Sequence, residues 1–344
     1  MVRAKIGKID QDTFTSFLLQ RLGKKDETVL VPPQMGVDAA VIDMGEGKVL
    51  IIAEDPILAI PGQPWEMFGW YTVHIGASDV AVMGVKPRYM TYSLLMPPET
   101  RDEDFKTIVD AIHEAALDLD LAIVGGHTGY YPGFAAPTIG GVTVFAVADK
   151  DSYVTPAGAK PGNDVILTKG PAIETAGILA VLREKELLKN YPASLVEKAK
   201  ALCRQMTVVK DCLIAMETGG VTAMHDATEG GLLNGVYEIA AASGTGVTIH
   251  EDKIVIPDEI AAVCRSFNID PLISISEGTL VITAAPENSA KIIKELKTKN
   301  INAWDIGEIT KGERLFIKRG GDKAVLEPVL VDPFWPAYFS AVEG

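Results

Sequence analysis

The run His225-Asp226-Ala227-Thr228-Glu229-Gly230-Gly231-Leu232-Leu233 constrains this chain more than any other stretch. A carboxylate and a glycine pair stand directly before a segment in which Leu232, Leu233, Val236, Ile239 and Ala240 share one helix face. A helix opened by glycine presents free N–H groups and the positive end of its dipole, a combination that suits phosphate. Asp226 beside it is placed to hold a Mg²⁺ ion bridging to that phosphate. The run therefore reads as a nucleotide site.

The familiar nucleotide motifs are missing. No Gly-x-x-x-x-Gly-Lys-Ser/Thr and no Gly-x-Gly-x-x-Gly occurs, so P-loop and Rossmann readings lose support. There is also no Gly-x-Ser-x-Gly elbow and no His-Glu-x-x-His. A net charge of −14 argues against nucleic acid as a partner. It suits a protein that gathers divalent cations, with a solvated acidic surface as the plainer alternative. Cys203, Cys212 and Cys264 are far apart and form no C-x-x-C, which points to buried thiols and not to a zinc ribbon or a disulfide framework.

Length predicts two domains. Near Asp149–Pro161 the composition turns to Asp, Ser, Pro, Gly and Lys, which reads as a link dividing 1–152 from 153–344. The first part reads as a short helix around Phe14, Phe17, Leu18 and Leu22, then strands paired around Met44–Gly47. A helix from Trp65 and a strand from Tyr89 follow. Thr100 and Glu103 read as a capping box for the next helix, and a strand at Ala122–Val124 leads into Gly125-Gly126-His127-Thr128. In the second part, strands at Val165–Thr168, Val247–His250, Leu280–Ala284 and Trp304–Ile309 alternate with helices at about Thr175–Lys185, Leu195–Thr218 and Pro286–Lys297. Such alternation predicts α/β or α+β. No apolar run reaches membrane-spanning length, and the N-terminus lacks an apolar leader core, so a cytoplasmic protein without membrane association is the default expectation.

Asp38, Asp55, Asp79 and Asp226 each border an apolar run, so each is expected at the rim of a core. Two bare carboxylates about 4 Å apart repel by roughly 4 kcal/mol at an effective dielectric near 20. Four gathered together need a cation, and hard oxygen ligands favour Mg²⁺. Taken singly, each aspartate also fits a turn or a helix cap.

This ordered set resembles the superfamily of aminoimidazole ribonucleotide (AIR) synthase, selenophosphate synthetase, thiamine-monophosphate kinase and the hydrogenase maturation factor HypE. The resemblance rests on Gly36-Val37-Asp38-Ala39-Ala40-Val41, Glu54-Asp55-Pro56, Ser78-Asp79-Val80-Ala81-Val82-Met83-Gly84, Gly125-Gly126-His127-Thr128, Asp226 to Leu232, Ser276-Glu277-Gly278-Thr279-Leu280 and Ile306-Gly307-Glu308-Ile309. Among members, the chain is most similar to HypE-like proteins, through Gly7-Lys8, Trp70-Tyr71-x-Val73-His74 and Lys169-Gly170-x-Ala172-Ile173-Glu174.

The resemblance implies an N-terminal domain whose strands form an intersubunit β-barrel and a C-terminal α/β sandwich domain. It implies a homodimer that binds ATP, with Asp38, Asp55, Asp79 and Asp226 as metal ligands. Gly125, Gly126, Thr128, Thr228, Gly230 and Gly231 would join them around the nucleotide. The implied chemistry is phosphorylation of an amide- or carboxylate-type oxygen on a small-molecule or protein-borne acceptor. The kinase reaction of the thiamine-monophosphate type and a nucleotide-binding scaffold without turnover stand as alternatives. Departures from the family pattern shape the site expectations. Val37 and His127 replace carboxylates and His74 stands where many relatives have Asn, so His127 and His74 are candidate catalytic bases or soft metal ligands. His225 is expected to orient Asp226. No cysteine follows Cys264, so the HypE reaction on its own cysteine tail is not expected.

Overall fold

The computed structural model describes residues 7–342. Strands β1 (Val29–Val31), β2 (Ala40–Gly45), β3 (Lys48–Leu58), β4 (Tyr89–Met96), β5 (Ala122–Tyr130) and β6 (Thr138–Asp149) form one sheet in the order β1-β2-β3-β6-β4-β5. β3 alternates strictly: Val49, Ile51 and Ala53 are buried beneath the Trp65–Ala81 helix, while Lys48, Glu54 and Leu58 face outward. The Asp102–Asp118 helix packs on the Trp65–Ala81 helix, so both helices cover the same side. The other side is left open. At the free edge, β5 is exposed along almost its whole length, including Ile123 and Val124. Its edge does not pair with β1, so the sheet of the described residues is open and the barrel expected for two subunits is not closed by one chain.

Strands β7 (Asp164–Thr168), β8 (Val221–Asp226), β9 (Gly246–His250), β10 (Leu280–Ala284), β11 (Ala303–Thr310), β12 (Arg314–Ile317) and β13 (Lys323–Val325) form the second sheet, ordered β13-β12-β9-β11-β7-β10-β8. Its central strands read as unbroken apolar runs because both faces are covered. Ile166, Leu280 and Ile282 pack into a core shared with helices Ile173–Leu182, Val209–Thr218 and Asp258–Ser266. Val165, Leu167 and Val281 point the other way, onto Leu232, Val236 and Ile239 of the Gly231–Ala242 helix. The first of these cores is continuous with that of the N-terminal sheet, through the Trp65–Ala81 and Val209–Thr218 helices. The mixed α/β architecture, with two sheets laid out in chain order, agrees with the class read from sequence.

Several local expectations are corrected. The capping box does not form: Arg101 is the N-cap and binds Asp104, leaving the Thr100 hydroxyl buried without a partner. The expected 195–218 helix is two helices, Ala193–Ala201 and Val209–Thr218, separated by a 3₁₀ turn and by Thr207-Val208, where Val208 leaves helical geometry. The Phe14–Leu22 helix is only a short turn over Gln11–Leu18, with Phe17, Leu18 and Leu22 exposed. β5 runs straight through Gly125-Gly126-His127-Thr128, which sequence placed beyond the strand. The C-terminal helix Phe334–Val342 caps the core, burying Phe334 beside the Ile173–Leu182 helix.

Candidate functional site

Asp226 ends β8 and is completely buried, yet neither oxygen of its carboxylate has a hydrogen-bond partner. Its nearest cation is the His225 ring, with Nδ1 3.8 Å from Oδ1, and a buried carboxylate without hydrogen bonds is costly unless something neutralises it. Asp38, from the loop before β2, reaches across to the C-terminal half and accepts from His225 Nδ1 at 2.7 Å. Packing brings the two halves this close: a Cβ at Gly36 would stand 2.8 Å from Glu238 Cβ, and Gly36 has a φ of +68°.

His225 therefore sits between two carboxylates, with Nε2 2.8 Å from Glu238 Oε2. Burial opposes its charge, but Asp38 and Glu238 outweigh that and hold the imidazolium well above the ordinary histidine range. Both ring nitrogens thus donate, and His225 orients Asp38 and Glu238, where sequence expected it to orient Asp226. Ligand atoms of Asp38, His225 and Asp226 lie within 4.8 Å of one another. Since both imidazole nitrogens are spoken for, the metal-binding capacity falls to the carboxylates.

The charges of the other two aspartates act on the same cluster. Asp55 lies beside a register shift in β3, and Asp79 is near the end of the Trp65–Ala81 helix. Burial raises the Asp79 carboxyl well above the usual range, helped by Asp55, Asp226 and Asp38, and burial raises Asp55 as well. Burial, with Asp38, pushes Asp226 up to about 7. Asp38 and Asp226 thus stand together, and Asp55 and Asp79 are near enough for their charges to act on one another and on that pair. Hard oxygens, two of them without partners, in surroundings that force protons onto carboxylates fit a hard divalent cation such as Mg²⁺.

Four more charged residues belong to the site, and sequence reasoning gave them no role. Glu277 is buried with Oε1 unpartnered; burial, Asp226, Glu174 and Asp55 hold its carboxyl well above the usual range. Glu174 accepts from the Glu277 N–H at 3.0 Å, and burial pushes it up to about 7. Glu238 is the second partner of His225. The Lys8 ammonium bonds Thr228 Oγ1 at 3.0 Å and is held charged against burial by Glu238, Asp38, Asp226 and Asp79, although the residue as a whole is exposed. Glu277 carried the same signal as the aspartates, an acidic residue set among Ser, Gly and apolar neighbours.

Other expectations are redirected. The glycine-led helix start is already engaged: Gly230 N–H donates to Asp332 at 2.8 Å, Gly231 N–H to the Thr228 carbonyl and Leu233 N–H to the Leu272 carbonyl. A Cβ on Gly231 would stand 2.5 Å from the Ser274 carbonyl oxygen. Gly230 and Gly231 thus meet a packing demand, and the Gly230 N–H is bound by the Asp332 carboxylate. Gly125, Gly126, His127 and Thr128 lie on exposed β5, and Gly126 aligns with Tyr92, Val142 and then Asp55 across the sheet. Three strand spacings, about 14 Å, separate that row's ends, so within one chain this motif does not touch the aspartates. His127 Nε2 instead pairs with the Tyr131 hydroxyl at 2.6 Å. His74 lines an interdomain cleft whose walls include none of the four aspartates. Neither histidine joins the cluster, and they do not meet each other: one is on the exposed edge strand, the other inside the cleft.

Among the described residues, no helix is long and apolar enough to cross a membrane. The chain is 26% identical over 312 residues to a putative hydrogenase expression/formation protein of Methanocaldococcus jannaschii, covering 89% of each. It is 29% identical to carbamoyl dehydratase HypE of Cupriavidus necator, covering 85% of this chain and 83% of the relative. The fold matches a HypE–HypF complex structure with a TM-score of 0.74 at 21% identity, over 92% of this chain and 99% of that one. A HypE structure in complex with ATP matches with a TM-score of 0.69 at 19% identity, over 95% and 97%. Residues 36–157 match the N-terminal domain of AIR synthase related protein and residues 160–320 match its C-terminal domain. Two sheets built in that order, with Asp38 of one half beside Asp226 of the other, belong to a single architecture, and this chain is a member of the AIR synthase related family.

Proposed function

We propose that this chain is an ATP- and Mg²⁺-dependent enzyme of the HypE-like kind, transferring phosphate from ATP to an amide- or carboxylate-type oxygen and so making that oxygen a leaving group. The observation that carries the reading is Asp226: two buried carboxylate oxygens without partners, within electrostatic reach of Asp38, Asp55 and Asp79. Relatives named carbamoyl dehydratase and selenide, water dikinase, and a HypE structure with ATP, support it.

Asp38 and Asp226 would hold Mg²⁺, with Asp55 and Asp79 beside them. The ion, when bound, neutralises the triphosphate and the charge that builds up during transfer. His225 fixes the Asp38 carboxylate, and Lys8 places a cation over the same carboxylates. Glu277, held protonated in a water-poor setting, is the group placed to exchange a proton with the acceptor. The three thiols are buried, so none offers itself as the acceptor here. Phosphates reaching the Gly231–Ala242 helix would displace Asp332 from Gly230.

We further propose a homodimer that covers the open sheet face, bringing Gly125, Gly126 and Thr128 of each protomer toward the site of the other. The exposed edge strand with Ile123 and Val124 supports this.

Calorimetric titration of MgATP into wild type, Asp38→Asn and Asp226→Asn tests the reading. Binding is expected in wild type and a loss of at least about tenfold in affinity, about 1.4 kcal/mol, in each variant. Undiminished binding in both variants sinks the proposal. Analysis of the products formed with candidate acceptors separates an oxygen-activating enzyme, which releases phosphate, from a kinase whose product keeps it.

A further inference from the structure

A well-formed cavity among the described residues lies apart from Asp38, Asp55, Asp79 and Asp226. It is a cleft of about 580 Å³ between the Trp65–Ala81 helix and the 202–211 segment, within the size range of small-molecule sites. His74 is one of its lining residues. The residue is 6% exposed and stacks on Trp70 with ring centroids 4.0 Å apart. Its Nδ1 faces the Thr207 hydroxyl at 3.3 Å, while its Nε2 is buried without any partner. In the tautomer whose Nδ1 accepts from Thr207, Nε2 carries the hydrogen and is an unused donor in the wall of the cleft.

Two cations share the cleft with His74. The Arg204 guanidinium lies 5.3 Å from the Trp70 ring centre, and Lys210 lines the same cavity. Both are close enough to disfavour protonation of His74, whose pKa burial lowers to about 3. At the rim stand Asp118 and Glu259. Among the described residues none of these four charged side chains makes an ion pair, although they share one cavity. Lys169, by contrast, is neutralised by Asp211 at 3.0 Å and bound to the Thr207 carbonyl. That pair lines the cleft, and the Lys169 charge also reaches Glu277.

We propose that this cleft is a second small-molecule site. Its ligand carries a phosphate or carboxylate, bound by Arg204, Lys210 and His74 Nε2–H, and amine or hydroxyl donors that reach Asp118 and Glu259. The inference goes beyond the ATP reading and does not rest on it, since no aspartate of the metal cluster lines the cavity.

The test uses the whole protein labelled with 5-fluorotryptophan, whose four tryptophans give separate ¹⁹F signals, Trp70 being assigned through Trp70→Phe. The probes are O-phosphoethanolamine and β-alanine, which share an amine and differ in the anion. A saturable shift of the Trp70 signal with one of them is expected, and which one identifies the anion. Affinity should fall at least about tenfold in an Arg204→Gln/Lys210→Gln double variant and should be unchanged in Asp226→Asn. Lys210→Ala alone, at an exposed position, should give an intermediate loss. Absence of a saturable shift with both probes, or an equal shift in the double variant, overturns the proposal. Loss of the shift in Asp226→Asn also overturns it, because the probe would then be reporting the nucleotide site.

Discussion

At the residue scale, burial decides what each ionisable side chain does. Asp226 and His74 are both buried with unpartnered atoms, but their charge states respond in opposite ways. Asp226 is held near 7 by burial and by Asp38, against the opposing pull of His225 and Lys8, so above that pH metal-free protein carries a buried, ionised carboxylate without a hydrogen-bond partner. Asp226→Asn is therefore expected to stabilise EDTA-treated protein by about 1–3 kcal/mol at pH 8 while abolishing stabilisation by MgATP, read from thermal melts. His74 behaves inversely. Its folded pKa is near 3, against 6.5 when unfolded, so the unfolded chain binds the extra proton between those values. This contribution to stability is complete above about pH 6.5 and is lost as pH falls toward 3. His74→Gln should flatten the pH dependence of denaturant stability across that window, and an unchanged slope would show that the imidazole is not buried neutral.

At the element scale, the Gly231–Ala242 helix shows how one signal can be read correctly for structure and differently for chemistry. Leu232, Leu233, Val236, Ile239 and Ala240 pack as their spacing foretold. The glycines before them are required by sterics: Gly231 has a φ of +63° and lies against the Ser274 backbone. Gly231→Ala is expected to cost about 1–3 kcal/mol from backbone strain alone, with the close approach adding to it. Chemical denaturation measures this, and a neutral result would show that the turn can rearrange. The broken 193–218 region and the missing capping box are failures of the same kind. Thr100 and Glu103 have the right spacing, yet Arg101 takes Asp104, and a local pattern cannot reveal which of two local partners wins.

At the scale of the whole molecule, Glu229 joins the two ends of the chain. Its carboxylate accepts from the Lys8 backbone N–H at 2.7 Å and from Trp335 Nε1 at 2.6 Å. The N-terminal arm and the C-terminal helix are thereby fastened beside the Gly230 turn, where Asp332 is also bound. Glu229→Ala removes both bonds, each worth about 0.5–1.5 kcal/mol. Limited proteolysis should then cut faster at both ends, with the two sheets remaining resistant. Faster cleavage at one end only would show that the carboxylate does not hold both.

The aspartates were legible from sequence because each is a charge set into an apolar run, a placement that burial makes expensive and that a bound cation relieves. Helix and strand periods, the absence of a P-loop and the overall α/β class were legible for similarly local reasons. What waited for the tertiary structure was every choice among long-range partners. Asp38 and His225 are 187 residues apart and Gly230 and Asp332 are 102 apart. Glu277 gained its place only when β8 and β10 paired. His74 and His127 share a residue type and a sequence-level promise, but one was buried in a cleft and the other left on an open strand edge. Local pattern fixes which groups are costly to bury; only the folded chain determines what they face, because desolvation and pairing act over ångströms in space and not over positions along the chain.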